Sequence, residues 1–503
     1  AGGYINYYYY GLVNVATLTK ATGIVPEVAY NLAIPTLFAL TAMGACSVTF
    51  NLVRPRASDA ADEGGWWPRA LRYGVVGALL VAVAGNLGEV RLLWGGFEAL
   101  GGDVALNTTI PGLAALVRVF KGVGAFLKGA KLPFRPEWWY WNASRVMGAG
   151  EINEFPFFTF LYADLHAHLT ALPFTTLVLG LATGLVARPV AHLTRLARDL
   201  RAPDAAQGEG WRARLVRWWQ ARNWALVAHV ALLGLAVGEL WCNNSWDLPT
   251  YLLVAVGALG CHVYARWSEA NGRTSWQTAL TRWLLLSLAV TALSVAFFRP
   301  FHAHFGSAYT SVERWKSIQT KGGDFVVIHG LPLFVLSSYL LALTFGAGAR
   351  GAVARAIRAH VGRLMRWPRT RRLYAGLVRR QSLSYGLAWF GLALLAVLLL
   401  VLILRKQSVA VLTLPLLPLA VPLALDRRVD AADRFVRLLI ALGLALAVGV
   451  EYVVIKGDIG RMNTVFKFYL QIWVLWGISA AVALAHLLPR CVRWPLGWRR
   501  AWQ

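Results

Sequence analysis

Apolar runs long enough to cross a bilayer recur along the 503-residue chain, near 29–53, 73–94, 165–187, 224–242, 249–265, 280–298, 327–347, 384–404, 408–425, 435–455 and 464–487. A segment in hydrocarbon must satisfy its backbone N–H and C=O groups internally, so runs of this length and composition fold as helices. With 57% hydrophobic and 15% charged residues, and a mean hydropathy of +0.52, the chain has too little polar surface to cover a soluble globule. The expected fold is an all-α polytopic membrane protein, one transmembrane domain over residues 1–503 with about 11 spanning helices.

Arginine sets the expected sidedness. Ten arginines lie between Arg350 and Arg380 and eight between Arg188 and Arg222, so loops 188–223 and 348–383 belong in the cytoplasm. Alternation then puts loops 54–72, 266–279 and 426–434 and the tail 489–503 on the same side, and all of them carry arginine. The C-terminus is thus expected in the cytoplasm of a cell that holds the protein in its inner membrane. Arg405-Lys406 is the exception, falling outside. An odd number of spans leaves residue 26 outside, which predicts a further helix upstream of Ala1. The net charge of +26 is concentrated in short loops between spans, a pattern that suits retention and anionic lipid headgroups and not nucleic acid. Cys46, Cys242, Cys261 and Cys491 have no ligand spacing, and no signal peptide precedes Ala1-Gly2-Gly3.

Two further stretches read as helices lying in the outer interface: residues 4–20, rich in tyrosine at one end, and 105–130, where Leu113 to Leu127 has helical apolar spacing. The same outer face collects the unusual polar clusters. The first runs from Glu151 and Glu154 to Asp164-Leu165-His166-Ala167-His168. Ionisable groups at a helix mouth are costly unless they line a wet cavity, which makes Asp164, Glu154 and Glu151 candidate catalytic carboxylates. A helix beginning near Tyr162 would put Asp164 and His168 on one face. With His166, and with His302 and His304 from a second His-x-His, they could bind a divalent metal, manganese or magnesium. Helix capping and interfacial hydrogen bonds are the plainer reading. Asn244, Trp246 and Asp247 form a turn that could also bind substrate, with Trp246 as a stacking surface. Arg461, Asn463 and Lys467 open the last apolar run, where cations and helix N–H groups suit a lipid phosphate.

Arg461-Met-Asn-Thr-Val-Phe-Lys-Phe-Tyr-Leu, Glu154-Phe-Pro-Phe-Phe, Asp164-Leu-His-Ala-His, Asn244-Ser-Trp-Asp-Leu-Pro-Thr and the opening Gly2-Gly3-Tyr-Ile-Asn-Tyr-Tyr-Tyr-Tyr resemble the YYY membrane-protein family of bacteria and archaea over nearly the whole chain. That architecture is similar to the C-type (GT-C) glycosyltransferases. The resemblance implies transfer of a sugar from a polyprenyl-phosphate donor at the extracytoplasmic face to an acceptor. It also implies that a first-loop carboxylate, base or metal ligand in such enzymes, lies upstream of Ala1. Two other readings stand beside it. A lipid or solute transporter would be expected to carry charged groups near the bilayer midplane, and a structural subunit of a membrane assembly would use its outer loops as contact surface.

Overall fold

The computed structural model describes residues 7–54, 66–104, 106, 108–148, 150–187, 224–269, 274–306, 311–345, 382–426, 429–492 and 496–502. Basic loop 188–223, nearly all of loop 348–383 and residues 4–6 of the first expected helix lie outside them. Among the described residues nine helices are long and apolar enough to cross a membrane, and each falls on one of the runs above. The chain is a multi-pass, all-α membrane protein.

Two runs differ from expectation. In place of one span at 73–94, Trp66–Val83 and Gly88–Gly101 meet at a bend of 64°. The last turn before the break is a π-helix, Leu79–Val83, and the groups released there find partners. Asn86 Nδ2 donates to Ala143 O (2.6 Å), Asn86 Oδ1 accepts from Gly88 N (2.9 Å) and Leu87 N donates to Val327 O (2.8 Å). The run at 384–404 is helical over Ser382–Leu404, of which Ala393–Leu404 is a shorter apolar segment. The two stretches expected in the interface form Tyr10–Thr22 and Leu113–Leu127. At 13 and 15 residues they are too short to cross upright.

By its contacts the chain groups into two compact units interleaved along the sequence. The first comprises Ala1–Ala78, Asp164–Ala308 and Ala424–Leu439, and the second Leu79–Ala163, Tyr309–Leu423 and Ile440–Gln503. Small residues bring helices together in the first unit. A Cβ on Gly77 would fall on the Thr49 hydroxyl, and one on Gly11 would fall on Thr170 and Asn243. In the second unit the 30-residue helix Met462–Cys491 is central, with 78% of its most apolar stretch buried. Its Tyr469, Trp473 and Trp476 pack around Phe325 and His329 of helix Gly322–Phe345. A two-stranded antiparallel ladder, Val312–Arg314 against Val453–Ile455, ties the connection before Gly322 to the end of helix Ala431–Tyr452.

Gly443, on helix Ala431–Tyr452, receives the Trp476 indole where a side chain would stand. Gly443→Val is expected to force the two elements apart and cost roughly 1–3 kcal/mol, read as a lower thermal unfolding midpoint in detergent.

Candidate functional site

In the second unit, the turn Lys456-Gly457-Asp458-Ile459-Gly460-Arg461 is possible because Gly457 and Gly460 take positive φ (91° and 62°). Asp458 then caps the following helix. Its Oδ1 accepts from Asn463 N and Nδ2 (3.1 and 3.0 Å), and its Oδ2 accepts from Thr464 N and Oγ1 (both 2.8 Å). The cap leaves Arg461 directed inward, 2% exposed. Its Nε donates to Glu151 Oε1 (3.0 Å), Nη1 to Glu451 Oε2 (3.1 Å) and Nη2 to Thr320 Oγ1 (2.9 Å). Thr320 in turn donates to Glu451 from its hydroxyl (2.6 Å) and its N–H (2.8 Å).

Two carboxylates thus face one guanidinium. Glu151 and Glu451 are 5% and 2% exposed, and Glu151 Oε2 has no hydrogen-bond partner among the described residues. A buried group in that state is costly and calls for a role.

Thr320 is also part of the wall of a cavity of about 960 Å³, at the upper end of the range for small-molecule sites. Lys321, Arg405 and Lys406 supply its charge, while Val326, Ile403, Val411 and Leu412 supply apolar lining. Among the described residues no carboxylate forms an ion pair with any of these three cations. Lys406 N donates to Ile403 O (2.9 Å) and Gln407 N to Leu402 O (2.8 Å), closing helix Ser382–Leu404 in the manner of a Schellman cap. Lys406 therefore sits at φ 57°, a conformation that glycine adopts without the roughly 1 kcal/mol a side chain costs.

The other candidates of this unit have structural partners. Glu154 lies 3.9 Å from Arg145 and accepts from Thr159 Oγ1 (3.3 Å). Burial lowers the Arg145 pKa, an effect that nearby Glu154 opposes. Asn463 belongs to the Asp458 cap, and Lys467 is buried with Nζ 4.5 Å from the Phe466 ring centre.

The first unit holds a separate polar cluster. Helix Pro156–Tyr162 stops at Ala163, in the left-handed region at φ 58°, and the next helix begins only at Ala167. Asp164 is consequently not helical and does not share a helix face with His168, contrary to the sequence expectation; it is exposed. The imidazoles instead pair with each other, His166 Nδ1 to His168 Nδ1 at 2.9 Å, with the Tyr7 hydroxyl 3.4 Å from His166 Nε2. Burial raises the Tyr8 pKa, with Tyr7 beside it adding to the effect. Asn244 Nδ2 donates to Asp247 Oδ2 (2.9 Å), and Trp246 is buried at 4% exposure, so it offers no open stacking face. Asn14 donates to Glu239 (2.6 Å) and Thr170 to Asn243 (2.7 Å). His302 packs on Trp241 at 4.4 Å between ring centres, while His304 is exposed. Among the described residues no three His, Cys, Asp or Glu side chains gather as a metal site, so Asp164, His166, His168, His302 and His304 do not form the expected centre.

Sequence reasoning missed Glu451, Thr320 and Lys321. Glu451 is a lone carboxylate at the end of an apolar run, a signal available in the sequence; Thr320 and Lys321 carry none. Arg405-Lys406 did stand out, as the exception to the charge pattern.

Arg461→Met removes the cation that two buried carboxylates share and is expected to cost about 3–5 kcal/mol, whereas Glu151→Gln leaves the Glu451 pair and costs less; chemical unfolding in detergent compares them. Burial holds the His302 imidazole below its ordinary 6.5. Its neutral packing therefore contributes stability that is complete above pH 6.5 and is lost as pH falls toward the lower folded value. Thermal midpoints between pH 7.5 and 5 should fall more steeply for the wild type than for His302→Phe.

Comparison with known proteins bears on the whole chain. No curated protein and no solved structure matches it. The sequence model of the uncharacterized membrane protein family DUF2298 matches residues 1–476, and the chain belongs to that family.

Proposed function

We propose that this membrane protein transfers a glycosyl group from a polyprenyl-phosphate donor at the extracytoplasmic face. The observation that carries the reading is the cavity of about 960 Å³, cationic at Lys321, Arg405 and Lys406, apolar at Val326, Ile403, Val411 and Leu412, and backed at Thr320 by the buried Glu451, which shares Arg461 with Glu151. A lipid phosphate needs this pairing of charge-assisted donors with apolar surface. Arg461, already engaged by Glu151 and Glu451, acts on those carboxylates and not on the phosphate.

In the proposed reaction an acceptor hydroxyl attacks the anomeric carbon, the new C–O bond forming as the bond to the phosphate oxygen breaks. The bonding pair leaves with the phosphate, where Lys321, Arg405 and Lys406 stabilise the charge. Glu451 or Glu151 takes the hydroxyl proton, an acceptor role that the guanidinium tunes. No step is assigned to a metal, because the candidate ligands do not converge.

A buried ion-pair cluster would also suit a transporter. Here it sits at helix ends, Glu451 next to the last residue of Ala431–Tyr452 and Arg461 just before Met462, away from the middle of either span. Placement at the ends favours chemistry at a membrane face over passage through the midplane.

Lys406→Gly separates charge from fold, since glycine relieves the left-handed backbone. It is expected to keep or raise the thermal midpoint while weakening binding of a short-chain polyprenyl phosphate several-fold, with Lys321→Gln additive. Glu451→Gln should abolish transfer of labelled sugar from a polyprenyl-phosphate hexose. Undiminished transfer in that variant, or binding indifferent to both cation changes, would refute the assignment.

A further inference from the structure

A second cavity, of about 420 Å³, lies inside the first unit, between helices Leu248–Glu269 and Trp276–Ala296 and the segment entering helix Ala431–Tyr452. Its lining is aromatic. Trp267 and Trp283 use their indole N–H groups on Thr274 O (3.1 Å) and Val256 O (2.9 Å), so both ring nitrogens are already satisfied. Gly257 and Gly260 leave room on one wall by having no side chain. Leu425 and Trp276, also in the lining, are 62% and 60% exposed, which opens the space to the surroundings of the spans.

One charged group lines this space. Arg434 is 4% exposed, its Nε donates to Ala424 O (2.8 Å), and its Nη2 donates to Asp426 O and Val429 O (both 3.0 Å). Its guanidinium carbon lies 4.4 Å from the Tyr264 ring centre. Nη1 makes no hydrogen bond among the described residues, so the cation holds donor capacity in reserve. Water is a poor occupant, since a buried water needs two to four polar partners and the lining offers little beyond that one group. A partner helix, about 10–12 Å across with its side chains, is too wide.

We infer that the cavity holds an acyl chain of one anionic glycerophospholipid, its phosphate drawn to the Arg434 guanidinium. The apolar lining and exposed apolar rim select the chain, and the buried cation selects the charge. This site is independent of glycosyl transfer and of the cavity assigned to it.

Gly257→Leu tests it with little risk to the fold, because a Cβ there meets only Leu438 Cδ1, at 4.0 Å, and a helical glycine is replaced by a better helix former. The full chain, delipidated in mild detergent, would be titrated with phosphatidylglycerol, phosphatidylcholine or glycerol 3-phosphate and read by native mass spectrometry and thermal unfolding. Wild-type protein should retain one phosphatidylglycerol, roughly fivefold more tightly than phosphatidylcholine, and gain stability from it. Gly257→Leu should lose the retained lipid, and Arg434→Gln should lose the preference for the anionic one. Ala279→Phe fills the cavity from the opposite wall and gives the same readout if Gly257→Leu does not fold. Equal retention of the two lipids, unchanged retention in the filled variants, or equal stabilisation by glycerol 3-phosphate would overturn the inference.

Discussion

The Arg461 guanidinium, held by Glu151, Glu451 and Thr320, is the interaction on which the second unit turns. It joins the lead-in to helix Pro156–Tyr162, the end of helix Ala431–Tyr452 and the connection before helix Gly322–Phe345. Each partner is expensive to bury alone, and together they fix how these segments meet. The Asp458 cap and the short ladder at Val312–Arg314 do local work toward the same end, one aiming Arg461 and the other delivering Thr320. The cavity wall at Gln319–Lys321 is thereby anchored to charge, with Gln319 also donating to Glu451 O (3.2 Å).

How much of this was legible in the sequence depends on the kind of signal. Spans are written in hydropathy, and among the described residues nine lie on the apolar runs. The bend near Asn86 was not visible, because it rests on Ala143 and Val327, both remote in sequence. The helix expected through Asp164 failed at Ala163, whose left-handed backbone no local preference announces. Arg461 and Glu151 were both singled out as polar groups in apolar surroundings. Their mutual contact, and the part of Glu451, required the fold. What survives of the sequence reading is the identity of the costly residues; what changes is who neutralises whom.

The two units solve the problem of polar groups in membrane helices differently. The first spreads hydrogen bonds over many groups, His166 with His168, Thr170 with Asn243 and Asn244 with Asp247, and holds the buried Arg434 on backbone carbonyls. The second joins two buried carboxylates to one guanidinium and leaves three cations around a nearby cavity. Burying two carboxylates against one guanidinium is the costlier arrangement.

The distance along the chain between Arg461 and Glu151, 310 residues, has a consequence for biosynthesis. At roughly 5–20 residues per second, translation separates the two side chains by about 15–60 s. Through that interval Glu151 has emerged and its guanidinium does not yet exist. The nascent chain must keep that carboxylate in water or at a lipid headgroup until the last long helix arrives, so insertion of the 79–163 region finishes late, from the C-terminal side.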